Sequence, residues 1–558
     1  MLKSAFKNHQ RAAFAMGSFR PFGYITLPAN TNQAQGLAKY AIDFMGQDNS
    51  KINERVYDRT RLFHTDSVLC GISAIAQRTN APNLFRKEAI KQYSVNPSVT
   101  EGKENVRVSK CLGSKIWTHS EKAIAANCSA VREWDSNGTV FGYNPHMKGH
   151  DAGEFGHNDF YPVVIAACQN AEQFNGSDAL KAMVLLDEIR GRLCEVFSLK
   201  SYKIDHVVHG AIASACVYGA MLGASPLQIE HAIGMVVAHY IPWRAIRAGK
   251  QLSDSKGASA ALSTECAITA VHRAMAGFIG PKDIFRNPEA IFRQFEPTSS
   301  HDKSPFDIVL SKSGDDFAVM GMHFKLGLYE HQSASAIGGL IDLISANTDA
   351  ILDGGNSDNI QKIKITSYEP AFGIIGDPAK RNPTTRQSAD HSMVYILSSV
   401  LRKAFEKHDN ITKEHTLDDL WKYLMLLPAD YGKNALYNEV TRKLMTKIEF
   451  EHGGPEYDSQ YPKGIPTSIS IHTNKGEFDS GLVLFPGGHS QNETVSLQNI
   501  MQHKFIRLGS LALEKEELVQ FVLNLENIRQ LSNEQMHDIY DCNIKYSDEP
   551  IDGKVEEE

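Results

Sequence analysis

The stretch Asp205-His206-Val-Val-His209-Gly-Ala-Ile-Ala-Ser-Ala-Cys-Val-Tyr-Gly-Ala-Met-Leu-Gly223 reads as one helix, apolar over most of its surface. Such a helix sits at the centre of a fold, not on its rim. Its small residues, Ala211, Ala213, Ala215, Gly219 and Ala220, let neighbouring helices come close. Asp178–Phe197, Pro226–His239 and Ala258–Phe278 repeat the pattern, with Ala, Leu, Ile and Met at helical spacing. Ser225 before Pro226 is a cap-then-proline helix start. Residues 35 to 293 therefore read as helical.

The pattern changes after Pro297. Short β-branched runs at Asp307–Leu310, Ile360–Ser367, Thr467–His472 and Gly481–Phe485 alternate with helical stretches at Ser333–Ala346, Ser388–Phe405 and Ala435–Met445, which predicts an α/β domain. From Thr494 to Ile539 the spacing is helical again. The expected fold is mainly α: a large all-helical domain (35–320 and 490–546) and a smaller α/β domain (321–489), the chain returning to the helical domain at its C-terminus. Residues 547–558 are expected to be an acidic disordered tail. No acid precedes Asp43, and Lys3, Lys7 and Arg11 share one helical face. Residues 1–34 thus predict a mitochondrial-type presequence and a matrix location, with a disordered basic tail as the alternative.

The chain has 558 residues, 42% hydrophobic and 22% charged, with a net charge of −7. That length predicts two or more domains. The acidic balance argues against a nucleic-acid partner, and no apolar run reaches the roughly 20 residues of a membrane span. An anionic substrate would need a locally basic pocket. Eight cysteines without a C-x-x-C pair predict buried thiols, not a disulfide framework or a cysteine-held cluster.

Polar residues gather in a few places. Trp134-Asp135-Ser-Asn-Gly-Thr139, followed by Glu154-Phe-Gly-His157-Asn-Asp159, forms a loop between two helices, a place suited to catalytic groups. Asp135 could orient a base, Thr139 bind a carboxylate, and His157 act as acid or base; helix caps on a solvated loop are the plain alternative. Asp205-His206 opens the central helix. His206 and His209 have a spacing metals use, without an acidic third ligand. Arg244 and Arg247, three apart, suit bidentate carboxylate binding. Lys256 opens a small-residue helix. Ser253-x-x-Lys256 also fits an acyl-enzyme pattern, but no K-T-G or S-D-N partner is present. His323-Phe-Lys325 precedes Tyr329-Glu-His331, and Asp390-His391-x3-Tyr395 enters a helix.

The order and spacing of these pieces, Arg132-Glu-Trp-Asp135-x3-Thr139, Gly-His157, Asp205-His206, Arg244-x2-Arg247, Lys256, Phe324-Lys325, His331 and Asp390-His391-x3-Tyr395, resemble the MmgE/PrpD superfamily from about residue 38 to 545. The resemblance implies a dimer with a helical domain, an α/β lid and a site between them. It places Asp135, Thr139, His157, His206, Lys256, Lys325, His331 and Tyr395 on the family's active-site positions. It also implies a lyase for a small polycarboxylate, needing no cofactor or metal. The Arg244-x2-Arg247, Asp205-His206 and Asp390-His391-x3-Tyr395 motifs are more similar to the 2-methylcitrate dehydratase branch than to the cis-aconitate decarboxylase branch. An epimerase and an inactive structural member are the other readings. Departures are a longer 141–155 loop, Asn158 where proline is usual, and a shorter Lys325–His331 spacing. On this reading Asp135 orients His157 as the proton-transfer residue at the leaving hydroxyl. Lys256 or Tyr395 serves the carbon acid, and Thr139, His206, Arg244, Arg247, Lys325 and His331 bind substrate.

Overall fold

The computed structural model describes residues 23–96, 106–171, 173–247, 251–300 and 302–553. Ten helices carry the architecture: α1 (Glu54–Ala76), α2 (Ser120–Glu133), α3 (Gly176–Val196), α4 (Val207–Met221), α5 (Pro226–His239), α6 (Ser255–Met275), α7 (Ala334–Ala346), α8 (Met393–Glu406), α9 (Leu497–Gly509) and α10 (Lys515–Glu526). The apolar stretch that follows Asp205-His206 is α4, buried along almost its whole length and packed against α3, α5 and α6. Its closeness depends on small residues: a Cβ on Gly210 would stand 2.0 Å from the Phe160 ring. Helix starts follow the sequence. Ser225 and Gln228 form a capping box on α5, and Asn175 and Asp178 form one on α3.

The strands that bear on the site and the second domain are β1 (Gly23–Leu27), β2 (Thr139–Val140), β3 (Gly156–His157), β4 (Ile308–Ser313), β5 (Ile360–Ser367), β6 (Ile448–His452), β7 (Thr467–Thr473) and β8 (Gly476–Asp479). The second domain is built on the sheet β8–β7–β5–β6, in which only β5 and β6 run parallel, with α7 packed on β7. After it, α9 and α10 return to pack on α1. The molecule is mainly α with a smaller α/β part, as the sequence predicts.

Several boundaries differ. The basic N-terminal face and residues 1–22 lie outside the described residues. Gly23–Leu27, expected to be presequence, is strand β1, paired antiparallel with β4, and Asn32 caps the helix that follows. The 307–310 run therefore belongs to this two-stranded sheet and not to the α/β sheet. Gly481–Phe485 forms only a bridge, Val483 to Thr467. The acidic tail is docked as far as Gly553: Ser547 N–H donates to Ala76 (2.8 Å), and Asp552 accepts from Arg386 (2.9 Å). All eight cysteines are free, six of them buried. No helix among the described residues is long and apolar enough to cross a membrane.

Candidate functional site

The Trp134–Thr139 loop leaves the C-terminus of α2 and runs beneath the second domain. Its Asp135 is fully buried, and four cationic or imidazole groups converge on it. Lys325 Nζ donates to one carboxylate oxygen. On the other, His391 Nδ1 lies at 3.0 Å, Arg132 at 3.4 Å and Lys256 Nζ at 3.9 Å. Burial alone would push the Asp135 carboxyl up, but Arg132, Lys325 and His391 overcome it and hold the group well below the usual carboxylate range. Lys256 donates to Asp390, which also lies 3.0 Å from His391 Nδ1. The imidazole of His391 is thus gripped at Nδ1 by two carboxylates. This leaves Nε2 on the side of a cleft lined by Phe155, His157, His206, Arg244, His331 and Lys380, among others.

Three more histidines line that cleft. His157 sits on β3, held by its pairing with Thr139 on β2, and its Nδ1 is 3.5 Å from Lys325 Nζ. The His206 and His331 rings lie 5.2 Å and 5.6 Å from it. Asp205 faces His206 Nδ1 at 3.3 Å, and Nε2 of both His206 and His331 is buried without a hydrogen-bond partner. Buried polar atoms without partners are expensive, so these two nitrogens mark where a polar ligand fits. Burial lowers the pKa of all four histidines, and that of Lys256 and Lys325.

The larger cavity nearby, lined by Phe141, Arg192, Glu195, Asp316, His323 and His489, is a weaker candidate. Its Arg192 is already bonded to Glu188 and Glu195. Asp135, Asp390 and His391 bring donor atoms close enough for a metal, but Lys256, Lys325 and Arg132 already give these carboxylates their cationic partners.

Two family models match the chain, the MmgE/PrpD N-terminal domain over residues 35–303 and the MmgE/PrpD C-terminal domain over 329–527. The chain belongs to the MmgE/PrpD family. It is 22% identical to a probable 2-methylcitrate dehydratase of Saccharomyces cerevisiae, over 86% of this chain and 87% of that one. It is 24% identical to the 2-methylcitrate dehydratase of Escherichia coli K12, over 52% of this chain and 61% of that one.

For this MmgE/PrpD chain the structure brings together Asp135, His157, His206, Arg244, Lys256, Lys325 and His331. It arranges others differently from the sequence expectation. Asp135 makes no hydrogen bond to His157; the imidazole it orients is His391. Arg247 also lines the cleft, but its Nε and one terminal guanidinium nitrogen are taken by Asp205 and the Ser259 hydroxyl. That bond fixes Asp205 under His206. Thr139 donates its hydroxyl to the Gly156 carbonyl (3.1 Å), so it shapes the β2–β3 pair. Tyr395 points away, donating to the Asp430 carbonyl at 2.6 Å, with its hydroxyl pushed up to about 12 by burial. His209 turns to the Phe197 carbonyl (3.1 Å), which ends its part in any metal pair.

Sequence reasoning named no role for Arg132, Glu330, Lys380, Asp390 or His391. It also missed Lys504 on α9, which pairs with Asp66 (2.7 Å) and donates to the carbonyls of Ser136 (2.7 Å) and Lys325 (2.9 Å). The returning helix therefore clamps the two loops that carry Asp135 and Lys325.

The four cleft histidines are depressed below their ordinary value of about 6.5. Unfolding below that pH binds protons, so their destabilising effect is absent above it and grows as pH falls. Each such histidine contributes up to about 1.4 kcal/mol per pH unit. In urea titrations between pH 6.5 and 5, His206→Gln should lessen the loss of stability relative to the native chain. An unchanged slope would mean that His206 is charged in the folded protein.

Proposed function

We propose that this chain is a hydro-lyase that dehydrates 2-methylcitrate to 2-methyl-cis-aconitate, without a metal. The carrying observation is the Asp135 bridge, with His391 on one carboxylate oxygen and Lys325, next to His157, on the other. Dehydration beside a carboxylate needs a base for the carbon-bound proton, an acid for the leaving hydroxyl, and cations around the developing charge.

His391 is the base in this reading. Its Nε2 takes the proton, and Asp135 and Asp390 stabilise the imidazolium. The electron pair of the broken C–H bond forms the new double bond as the hydroxide leaves. His157 Nε2–H protonates that hydroxide to water, while Lys325 passes a proton to His157 Nδ1. Both ends of the transfer meet on Asp135, so the cluster keeps its charge; after the products leave, His391 Nε2 releases its proton to solvent, and His157 Nε2 takes one up and returns its Nδ1 proton to Lys325. Arg244, His206 and His331 hold substrate carboxylates. Lys256, fully buried on Asp390, acts through that carboxylate and not on the carbon acid.

The similarity to 2-methylcitrate dehydratases over most of the chain supports the substrate. We also propose a homodimer, supported by the exposed Ile241, Trp243, Leu262, Phe278 and Ile279 on and beside α5 and α6. Single exposed apolar residues are ordinary, whereas several large ones on one pair of packed helices are the kind of surface a partner covers. Sedimentation at micromolar protein should give about twice the chain mass, and a monomer there would contradict it.

The test of function is turnover of 2-methylcitrate, citrate and cis-aconitate by EDTA-treated protein, following conjugated-product absorbance and carbon dioxide together. Absorbance rising with 2-methylcitrate and no carbon dioxide is expected. His391→Gln should lower kcat about 10²–10⁴-fold, whereas Tyr395→Phe should leave it near normal. Carbon dioxide from cis-aconitate, or activity lost to the chelator, would overturn the reading.

A further inference from the structure

Lys380 stands at the outer edge of the cleft, on the short turn Pro378–Lys380 that follows the irregular helix Ala371–Ile375. The turn is well fixed. The Asp377 side chain accepts from Ala379 N–H (2.8 Å), and Lys380 N–H donates to the Asp377 carbonyl (2.9 Å). Arg381 donates twice to the Gly376 carbonyl (3.2 and 3.1 Å). The Lys380 ammonium itself has no hydrogen bond or ion pair among the described residues.

That distinguishes it from the deeper cations. Lys256, Lys325, Arg132 and Arg247 are each bonded to a carboxylate. Arg244 shares the condition of Lys380: it lines the same cleft, and its guanidinium has no carboxylate partner among the described residues. The acid that acts most strongly on Lys380, Glu330, is already occupied by the Ser333 hydroxyl and the Gln332 N–H (2.8 Å). Its carboxyl is pushed up to about 7, chiefly by burial. Burial brings Lys380 down to about 8, with Arg244 acting in the same direction and Glu330 against it. Lys380 is therefore a cation with no carboxylate bonded to it among the described residues, in the same cleft as a second one. Arg244 comes from the helical domain and Lys380 from the α/β domain, so an anion held by both would bridge the cleft.

We propose that Lys380 binds a carboxylate of the substrate and, with Arg244, selects acids carrying three carboxylates over those carrying two. The inner histidines and Lys325 serve the reacting part of such a molecule, and the two outer cations take the carboxylate that projects towards solvent. The inference rests on the polycarboxylate reading of this cleft and adds the residue that counts the charges.

The test is calorimetric binding of propane-1,2,3-tricarboxylate, which has no hydroxyl to eliminate, and of glutarate, which lacks the central carboxylate. The native chain should prefer the tricarboxylate. A hydrogen bond to a charged group is worth about 1.5–3 kcal/mol, or about 10- to 100-fold in affinity. Lys380→Met should weaken tricarboxylate binding by that factor and change glutarate binding several-fold at most. Lys380→Arg should keep most of the preference. A Lys380→Met variant with the native melting temperature that binds both acids as the native chain does would overturn the inference and leave the polycarboxylate reading intact. Equal weakening of both acids would likewise overturn the selectivity. A native chain that binds neither acid would sink the polycarboxylate reading and the inference with it.

Discussion

The structure depends on a carboxylate that sees no water. Burying an ionised aspartate is costly unless opposite charges and hydrogen bonds replace its hydration. Asp135 meets that condition with Lys325, Arg132 and His391 in contact and Lys256 just beyond. These partners come from places far apart in the chain: α2, the start of α6, the loop before α7 and the turn before α8. The carboxylate therefore ties the helical domain to the α/β domain at one point. Removing one partner of such a cluster typically costs 3–5 kcal/mol. The same cluster tunes the chemistry, because the field that holds Asp135 ionised also sets the proton affinity of His391 and Lys325.

Around this point the fold supplies supports from a distance. Lys504 reaches from α9 to the carbonyls of Ser136 and Lys325, 368 and 179 residues away in sequence. Arg247 holds Asp205, which faces His206. Arg386 joins Glu133, two residues before Asp135, to Asp552 near the end of the chain. The return of the chain to the helical domain is thus part of how the site is positioned. The cleft has walls from both domains, Phe155, His157, His206 and Arg244 on one side and His331, Ile375, Lys380 and His391 on the other. Relative motion of the domains would open and close it.

Much of this was legible in the sequence. The helices announce themselves through spacing and caps, as Ser225-Pro226 does for α5, and the α/β character of the second half follows from runs such as Ile360–Ser367. The Asp135, His157, His206, Lys256, Lys325 and His331 motifs lie where the chain converges. What sequence spacing could not supply is direction. Arg244 and Arg247 look like a matched pair, yet Asp205 claims one of them from 42 residues away. Asp390-His391 sits inside a helical pattern that breaks between Ala389 and Met393, and that break turns His391 to Asp135. Lys504 has no local signal, because its partners are all distant. Strand β8, Gly476–Asp479, carries no β-branched residue and exists because a tight turn lays it against β7.

The proposed chemistry depends on Asp135 acting directly on His391. The pH dependence of kcat/KM for 2-methylcitrate, compared between the native chain and Asp135→Asn, tests that most directly. The carboxylate raises the proton affinity of His391 against burial and Lys256. Removing its charge should move the acidic limb to lower pH while the plateau falls, since the imidazolium formed in the reaction loses its partner. An acidic limb that stays at the native pH, or moves upward, would contradict the account.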